Sequence, residues 1–239
     1  MYKVRTYRSW IKDDGLISFE VIEKETDLHI SALSNLEAKA RAAVLTYRNE
    51  LEEYIKSDRS LLVSLDPVSV SPEAPGIVRI MARAAAKAGV GPMAAVAGAM
   101  AELVGRDLMK YSGEIIVENG GDIFMKISRK TVIGIYAGED SPFTGKLAIE
   151  VDPKDDGIGI ATSSGTVSHS LSFGKADAVV IISEDASLSD AVATATGNIL
   201  KTSADIEKSI DFARSIEGVT GILVAIRDKI GNWGEIRLV

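Results

Sequence analysis

The stretch EIIVENGGDIFMKI, residues 114–127, has the sequence pattern of a β-hairpin. Two runs of strand-forming residues flank Asn119 and Gly120, and both of these residues tolerate the positive φ that a tight hairpin turn requires. Strands joined in this way pair antiparallel. Similar strand-like runs, separated by turn residues, follow at 131–137, 146–151, 157–162 and 176–183. Consecutive strands with short connections predict antiparallel sheets and hence an α+β fold.

Apolar residues at helical spacing predict helices before and after this strand-rich segment. The first helix follows Ser34 and Glu37, whose spacing is that of a capping box, and it runs to about residue 57. No Pro/Ser-rich linker or low-complexity segment divides the chain, so we expect a single domain over residues 1–239. The other predicted helices span 76–89, 92–109, 187–200 and 206–216, and the other predicted strands span 4–11, 16–23, 26–32, 220–226 and 234–239.

The composition narrows the classes of partner and of chemistry. A net charge of -7 and a pI near 5.0 argue against nucleic acid and anionic membranes as partners. The absence of cysteine excludes disulfides, a thiolate nucleophile and cysteine-based metal sites. The first residues lack the apolar segment of a signal peptide, and the longest apolar run, 90–101, is too short to span a bilayer. We therefore expect a cytoplasmic protein with a small-molecule ligand, and the sequence is compatible with a homo-oligomer.

The segment SLSDAVATATGN, residues 187–198, carries one candidate site. On a helix, Asp190 and Thr194 are four residues apart and share a face. A carboxylate and a hydroxyl in this arrangement suit Mg²⁺, which takes few protein ligands and keeps water or substrate phosphates. The same segment also fits a capping role, with Ser187 as N-cap and Asp190 at the third helical position. The local pattern favours neither interpretation.

Three stretches rich in glycine or hydroxyl residues can also be interpreted in two ways. The small residues of GVGPMAAVAGAMAE, 89–102, indicate close helix packing, or a helix N-terminus that offers free amides to a phosphate. The paired glycines of the 114–127 segment indicate a hairpin turn, or a place where a ligand approaches the backbone. ATSSGTVSHS, 161–170, is a polar linker or a ligand-facing loop, with His169 near its end as a candidate for acid–base chemistry.

The order of these motifs resembles the ApbE-like superfamily of flavin transferases. The resemblance covers roughly Gly89 to Leu200, and it is strongest to a small, uncharacterised and largely archaeal branch that carries GVGPMAAVAGA and TSSGT. It implies an α+β fold with antiparallel sheets and packed helices, built as a duplicated unit of the T-fold kind. The cofactors that it implies are Mg²⁺ and FAD or FMN. The motifs that carry it are GPMAAVAGAMAELVGRDL, VENGGDIFM, IATSSGTVSHS, ADAVVII and DASLSDAVATATGN.

Members of that superfamily split FAD with Mg²⁺ and attach FMN to a Thr or Ser of a target protein. The resemblance assigns metal binding to Asp190 and Thr194, which match the Asp and Thr of the family's D-A-x-x-T segment. Pro92 is the nearest match to the family's backbone carbonyl ligand, and His169 matches the family's histidine as the catalytic candidate. The residues implied in cofactor binding are Gly120, Gly121, Asp122, Thr162, Ser163, Ser164 and Gly165.

One departure from the family pattern bears on activity. The family's Lys-Gly-Tyr segment is replaced by Ala95, Val96 and Ala97, so a basic residue expected near the phosphates is missing. We therefore expect a protein that binds a flavin or another phosphate-bearing small molecule with Mg²⁺, and that has weak or absent FMN transferase and FAD pyrophosphatase activity. Two alternatives stay open: a non-catalytic ligand-binding or regulatory protein on the same fold, and an enzyme with unrelated chemistry in the same pocket.

Overall fold

The computed structural model describes residues 15–138, 141–164 and 175–239. The predicted strand 4–11 and the candidate site residues Gly165 and His169 lie outside these ranges. The described strands are β1 (Ile17–Glu23), β2 (Thr26–Ala32), β3 (Ile115–Asn119), β4 (Asp122–Lys126), β5 (Thr131–Gly134), β6 (Ala148–Val151), β7 (Ile158–Ser163), β8 (Ala178–Ser183), β9 (Val219–Ile226), β10 (Lys229–Gly234) and β11 (Arg237–Leu238). The helices are α1 (Glu37–Ser57), α2 (Ser60–Val63), α3 (Gly76–Ala88), α4 (Val96–Leu108), α5 (Ala186–Ile199) and α6 (Ile206–Arg214), and a 3-10 turn, Pro92–Ala95, precedes α4.

The strands of the described ranges pair antiparallel in two sheets. The large sheet has eight of them in the order β1-β2-β3-β4-β7-β8-β9-β10, and the small sheet has three in the order β11-β6-β5. The predicted α+β class with antiparallel sheets is confirmed. In each half of the large sheet the helices are inserted between the second and third strands: α1 to α4 between β2 and β3, and α5 and α6 between β8 and β9. The internal duplication and the single domain stay predictions.

The large sheet lies between two apolar cores because its side chains alternate between its faces. Val117 and Phe124, which pair across β3 and β4, face the helices and belong to one core. Ile116 and Met125, which pair at the next position, face the small sheet and belong to the other core. The result is three layers: helices, large sheet and small sheet. The same alternation determines which face of the sheet each polar side chain at a strand end points to.

Two glycines allow α5 to begin in close contact with both α4 and the large sheet. A Cβ atom at Gly98 of α4 would lie 2.2 Å from the carbonyl oxygen of Ala186, the first residue of α5. A Cβ atom at Gly159 of β7 would lie 2.3 Å from the amide nitrogen of the same residue. Glycine is therefore required at both positions by close packing, which is one of the two interpretations of the segment 89–102.

Two local predictions were wrong. α1 begins at Glu37 with no side-chain cap, and the Glu37 amide bonds to Asn35 Oδ1, so Ser34 forms no capping box. The strand β10 was not predicted, because KIGNWG lacks the alternation of apolar and polar residues that identifies a strand. It forms by pairing along β9, and the predicted last strand shrinks to β11.

A membrane-spanning helix must have both sufficient length and sufficient apolarity. No single helix in these ranges reaches both, and α3 and the segment Pro92–Leu108 reach them only together, across a bend of 103°.

Candidate functional site

The β3–β4 turn lies at one end of the large sheet, and its centre is Gly120 and Gly121 rather than Asn119 and Gly120. Both glycines have positive φ, 70° and 106°, so backbone conformation alone explains them. The Gly121 amide donates to Glu118 Oε1 at 2.9 Å, and the Gly121 carbonyl accepts the Thr162 amide at 3.2 Å. Two of the residues predicted to bind a cofactor, Gly121 and Thr162, are therefore direct neighbours.

The alternation of side chains divides the predicted cofactor-binding residues between two faces of the sheet. Asp122 pairs with Ala161, which belongs to the helix-side core, so Asp122 points towards the helices. Ser163 is two residues further along β7 and has the same orientation. Thr162 points to the opposite face, and Ser164 follows the strand and is buried. Of the two hydroxyl residues in β7, Thr162 and Ser163, it is thus Ser163 that is directed to the helix layer.

Asp190 does not cap its own helix. The N-cap of α5 is Asp185, so the predicted capping box of Ser187 and Asp190 is not formed. Instead, Asp190 Oδ2 accepts the amide of Gly98 at 2.9 Å, in the first turn of α4, and the amide of Ala97 bonds to the same carboxylate. A carboxylate is favourable at a helix N-terminus for electrostatic reasons. These two amides are thus bonded to a side chain of the protein, and phosphate binding by the other amides at this helix start stays a prediction.

The exposed part of α5 is a narrow polar stripe. Asp190, Thr194 and Asn198 are partly exposed and follow one another at intervals of about one turn, whereas most of the helix is buried. Burial raises the pKa of Asp190 to about 7, and the hydrogen bonds from Gly98 and Ala97 oppose this shift. The stripe is the side on which α5 can contact a ligand.

The end of β7 lies beside this stripe. β7 and α5 are in contact from Gly159 and Ala186 onwards. A strand advances about 3.3 Å per residue and a helix about 1.5 Å. By these rises, Ser163 lies about 13 Å beyond Gly159 along β7, and Thr194 lies about 12 Å beyond Ala186 along α5.

Asn119 connects the hairpin turn to α4. Its Nδ2 donates to the carbonyl of Ala97 at 3.1 Å, and Asn119 pairs with Asp122 across the hairpin. The sequence indicates Asn119 only as a turn residue, because no local signal separates an asparagine that shapes a turn from one that binds a distant helix. Five polar residues thus lie on the helix side at this end of the sheet, and we call them the helix-side cluster: Asn119, Asp122, Ser163, Asp190 and Thr194.

The helix-side cluster offers hard oxygen donors of the kind that Mg²⁺ prefers. Pro92, the third predicted metal ligand, is buried in the 3-10 turn that packs on α5. Within the described ranges, no group of three His, Asp or Glu side chains could hold a metal ion. A Mg²⁺ ion here would therefore use the Asp190 carboxylate, the Thr194 hydroxyl and a backbone carbonyl, and leave its other positions to water or phosphate, which suits this ion.

The cation that the resemblance places near the phosphates is replaced by a buried methyl group. Ala95 is 0% exposed. The next basic residue along α4, Arg106, lies eight residues beyond Gly98, which is about 12 Å. Its guanidinium binds Glu102 at 3.0 Å and Asp185 at 3.2 Å. Arg106 is therefore engaged in the packing of α4 against the start of α5.

A second polar group lies on the opposite face of the large sheet. Glu118 is 1% exposed and pairs with His29 across β3 and β2. Burial and the nearby charge of Glu118 raise the pKa of Asp27. The predicted roles of Gly165 and His169 lie outside the described residues and stay predictions.

The sequence has relatives of similar length. A UPF0280 protein of Methanococcus aeolicus is 41% identical over 202 residues, which cover 82% of this chain and 81% of the relative. A UPF0280 protein of Methanopyrus kandleri is 40% identical over 227 residues, which cover 92% of this chain and 91% of the relative.

The fold has solved counterparts. The apo form of the flavinyl transferase ApbE of Pseudomonas stutzeri matches with a TM-score of 0.60 and 14% identity, over 92% of this chain and 94% of that one. The ApbE protein of Thermotoga maritima matches with a TM-score of 0.57 and 14% identity, over 90% of this chain and 96% of that one. A family model described as AbpE bacteria matches residues 8–218. The chain therefore belongs to this ApbE-like family, and the resemblance seen in its sequence is confirmed.

Proposed function

We propose that this protein binds a flavin nucleotide, or another phosphate-bearing small molecule, through Mg²⁺ at the helix-side cluster. The observation that carries the proposal is the pair Asp190 and Thr194 on the exposed stripe of α5, with Asp122 and Ser163 at the adjacent strand ends. The Pseudomonas stutzeri protein of the same fold is a flavinyl transferase, which makes flavin nucleotides the first ligands to test.

The charges of the cluster favour an anion bridged by a metal over an anion bound directly. Asp122 and Asp190 both carry carboxyl groups, and each of them repels a phosphate when it is ionised. The amides of Ala97 and Gly98, which could otherwise attract a phosphate, bond to Asp190. A divalent cation on Asp190 and Thr194 reverses the local charge and supplies coordination positions for phosphate oxygens.

The same residues argue against efficient catalysis. Cleavage of a pyrophosphate spreads negative charge over the phosphate oxygens, and enzymes stabilise it with metal ions and with Lys or Arg. Ala95 supplies no charge, and Arg106 binds Glu102 and Asp185. Loss of one well-placed charged contact commonly lowers the rate by about 10²–10³-fold. We therefore propose weak or absent FMN transferase and FAD pyrophosphatase activity, with ligand binding retained.

Flavin binding is expected to depend on the metal. FMN should bind in buffer with Mg²⁺, and EDTA should weaken this binding at least about tenfold, because the cluster then has no cation to offset the charge of its carboxylates. The measurement is a titration followed by flavin fluorescence. Riboflavin, which has no phosphate, is the matched control and should show no dependence on Mg²⁺. Equal FMN affinity with Mg²⁺ and with EDTA would contradict a metal-bridged phosphate.

Turnover of FAD is expected to be slow. With FAD and Mg²⁺, release of FMN and AMP should stay well below about 1 s⁻¹, the lower end of ordinary turnover numbers. Chromatography of the nucleotides measures it directly. The control is Asp190→Ala, which separates turnover at this site from a contaminating activity. Ordinary turnover that disappears in Asp190→Ala would overturn the proposal of weak catalysis and show an active pyrophosphatase.

A further inference from the structure

Glu102 is a buried carboxylate between α4 and α5, and it is only 2% exposed. Its Oε2 accepts the amide and the hydroxyl of Ser187, at 3.2 Å and 3.0 Å, in the first turn of α5. Its Oε1 accepts Arg106 Nε at 3.0 Å. Burial and the nearby charge of Asp185 raise the pKa of Glu102. A buried carboxylate is costly unless its oxygens are bonded, and here both oxygens are.

Asp190 makes the reciprocal contact. Asp190 belongs to α5 and accepts Gly98 in the first turn of α4, whereas Glu102 belongs to α4 and accepts Ser187 in the first turn of α5. Each helix therefore supplies the carboxylate that bonds to the other's N-terminal amides. On each helix the two contacts lie within about one turn of each other. A shift of one helix along the other would break both contacts together.

Asp185, the N-cap of α5, is linked to the Glu102 carboxylate through Arg106. Arg106 bonds to Glu102 and also reaches Asp185 at 3.2 Å, so one guanidinium joins the Glu102 carboxylate to the residue at which α5 begins. The start of α5 is thus bonded to α4 about one turn before Asp190. The register of α5 against α4 decides where Asp190 and Thr194 lie.

We propose that Glu102 is a positioning residue of the site: by bonding to Ser187 it holds α5 in register with α4 and so directs Asp190 and Thr194 into the helix-side cluster. Without Glu102, the amide and hydroxyl of Ser187 lose their buried acceptor, and Arg106 keeps Asp185 as its partner at the start of α5. The first turn of α5 is then released, and Asp190 loses its fixed distance to Gly98. The expected effect of Glu102 on metal binding rests on the proposed function. The expected effect of Glu102 on the contact between Asp190 and Gly98 does not.

The test compares Glu102→Gln with Glu114→Gln. Glu114 is also a buried glutamate with an arginine partner, Arg129. It directly precedes β3 and bonds to Ser128, which follows β4, so these bonds do not involve α4 or α5. Two quantities are measured: hydrogen exchange of the Gly98 amide by NMR in the ligand-free protein, and Mn²⁺ affinity by electron paramagnetic resonance. Glu102→Ala and Glu114→Ala form a second pair with a larger expected effect.

Glu102→Gln should speed exchange of the Gly98 amide by about threefold or more, and Glu102→Ala by about tenfold or more, because the alanine removes the buried acceptor completely. Mn²⁺ affinity should fall in the same order, and the Glu114 variants should leave both quantities at the wild-type value. Should Glu102→Ala fail to fold, the Gln pair decides. Unchanged Gly98 exchange in Glu102→Gln, or equal acceleration in Glu114→Gln, overturns the positioning role. Absence of Mn²⁺ binding in the wild type would refute the metal site of the proposed function, and Gly98 exchange would still decide the role of Glu102.

Discussion

Asp190→Asn is expected to lower the affinity for Mn²⁺ or Mg²⁺ at least about 100-fold while the protein stays folded. The amide oxygen of asparagine can still accept the Gly98 amide, so the contact between α5 and α4 is retained. The ionised carboxylate is lost, however, and it is the charged member of a donor set that otherwise contains a hydroxyl and a carbonyl. Changes to residues that merely orient a ligand cost about 10–100-fold in metal affinity, so loss of a direct carboxylate should cost at least the upper value.

The matched control for this prediction is Asp205→Asn. Asp205 also accepts a backbone amide near a helix start, that of Thr202 at 2.8 Å, and it lies near α6 on the surface. The chemical change is the same, and no effect on metal affinity is expected. Isothermal titration with Mn²⁺, together with a thermal unfolding curve for each variant, separates the two effects. Wild-type Mn²⁺ affinity in Asp190→Asn would remove Asp190 from the metal site.

Gly98→Ala is expected to destabilise the protein by about 3 kcal/mol, even though alanine has the higher helix propensity by about 1 kcal/mol. The new Cβ atom would lie 2.2 Å from the carbonyl oxygen of Ala186 and 2.8 Å from the Cβ atom of Asp190. A methyl group has no rotamer that avoids a backbone carbonyl, so α5 must move away from α4. For a chain of this length the expected loss in Tm is about 6–12 °C. Because the move displaces Asp190, metal binding should weaken as well.

Gly76→Ala is the control for the glycine substitution. Gly76 is the first residue of α3, and a Cβ atom there meets nothing within 4 Å. Its expected effect on the free energy of unfolding is within about 0.5 kcal/mol. Thermal and urea unfolding of both variants provide the comparison. Equal stability of Gly98→Ala and the wild type would mean that the close contact between α4 and α5 is not maintained in solution.

The elements that sequence analysis identified are those whose signals are local. The hairpin of residues 114–127 was predicted because its strands and its glycines are adjacent in sequence, although its turn is centred one residue later than expected. The strand β10 was missed because its residues show no alternation, and only the backbone of β9 provides its hydrogen-bond partners. A strand that forms by pairing alone has no pattern of its own to recognise.

Those parts of the candidate site that depend on neighbouring residues in the sequence were also predictable. Asp190 and Thr194 share a face because they are four residues apart on one helix, which the sequence shows directly. The role of Glu102 was not predictable, because its partner Ser187 is 85 residues away along the chain. The contact of Asn119 was not predictable either, since Asn119 ends β3 and its side chain bonds to Ala97 in α4.

Local sequence signals were sufficient for the antiparallel α+β class, most of the helices and strands, and the pairing of a carboxylate with a hydroxyl on α5. The contacts of these residues depend on tertiary packing: Asp190 bonds to the start of α4 rather than of its own helix, and Ser163 rather than Thr162 points to the helix layer. Periodicity and turn propensity act over a few residues, whereas a hydrogen-bond partner depends on which surfaces pack together. Here that packing depends on Gly98 and Gly159, whose missing side chains let α5 approach α4 and the large sheet.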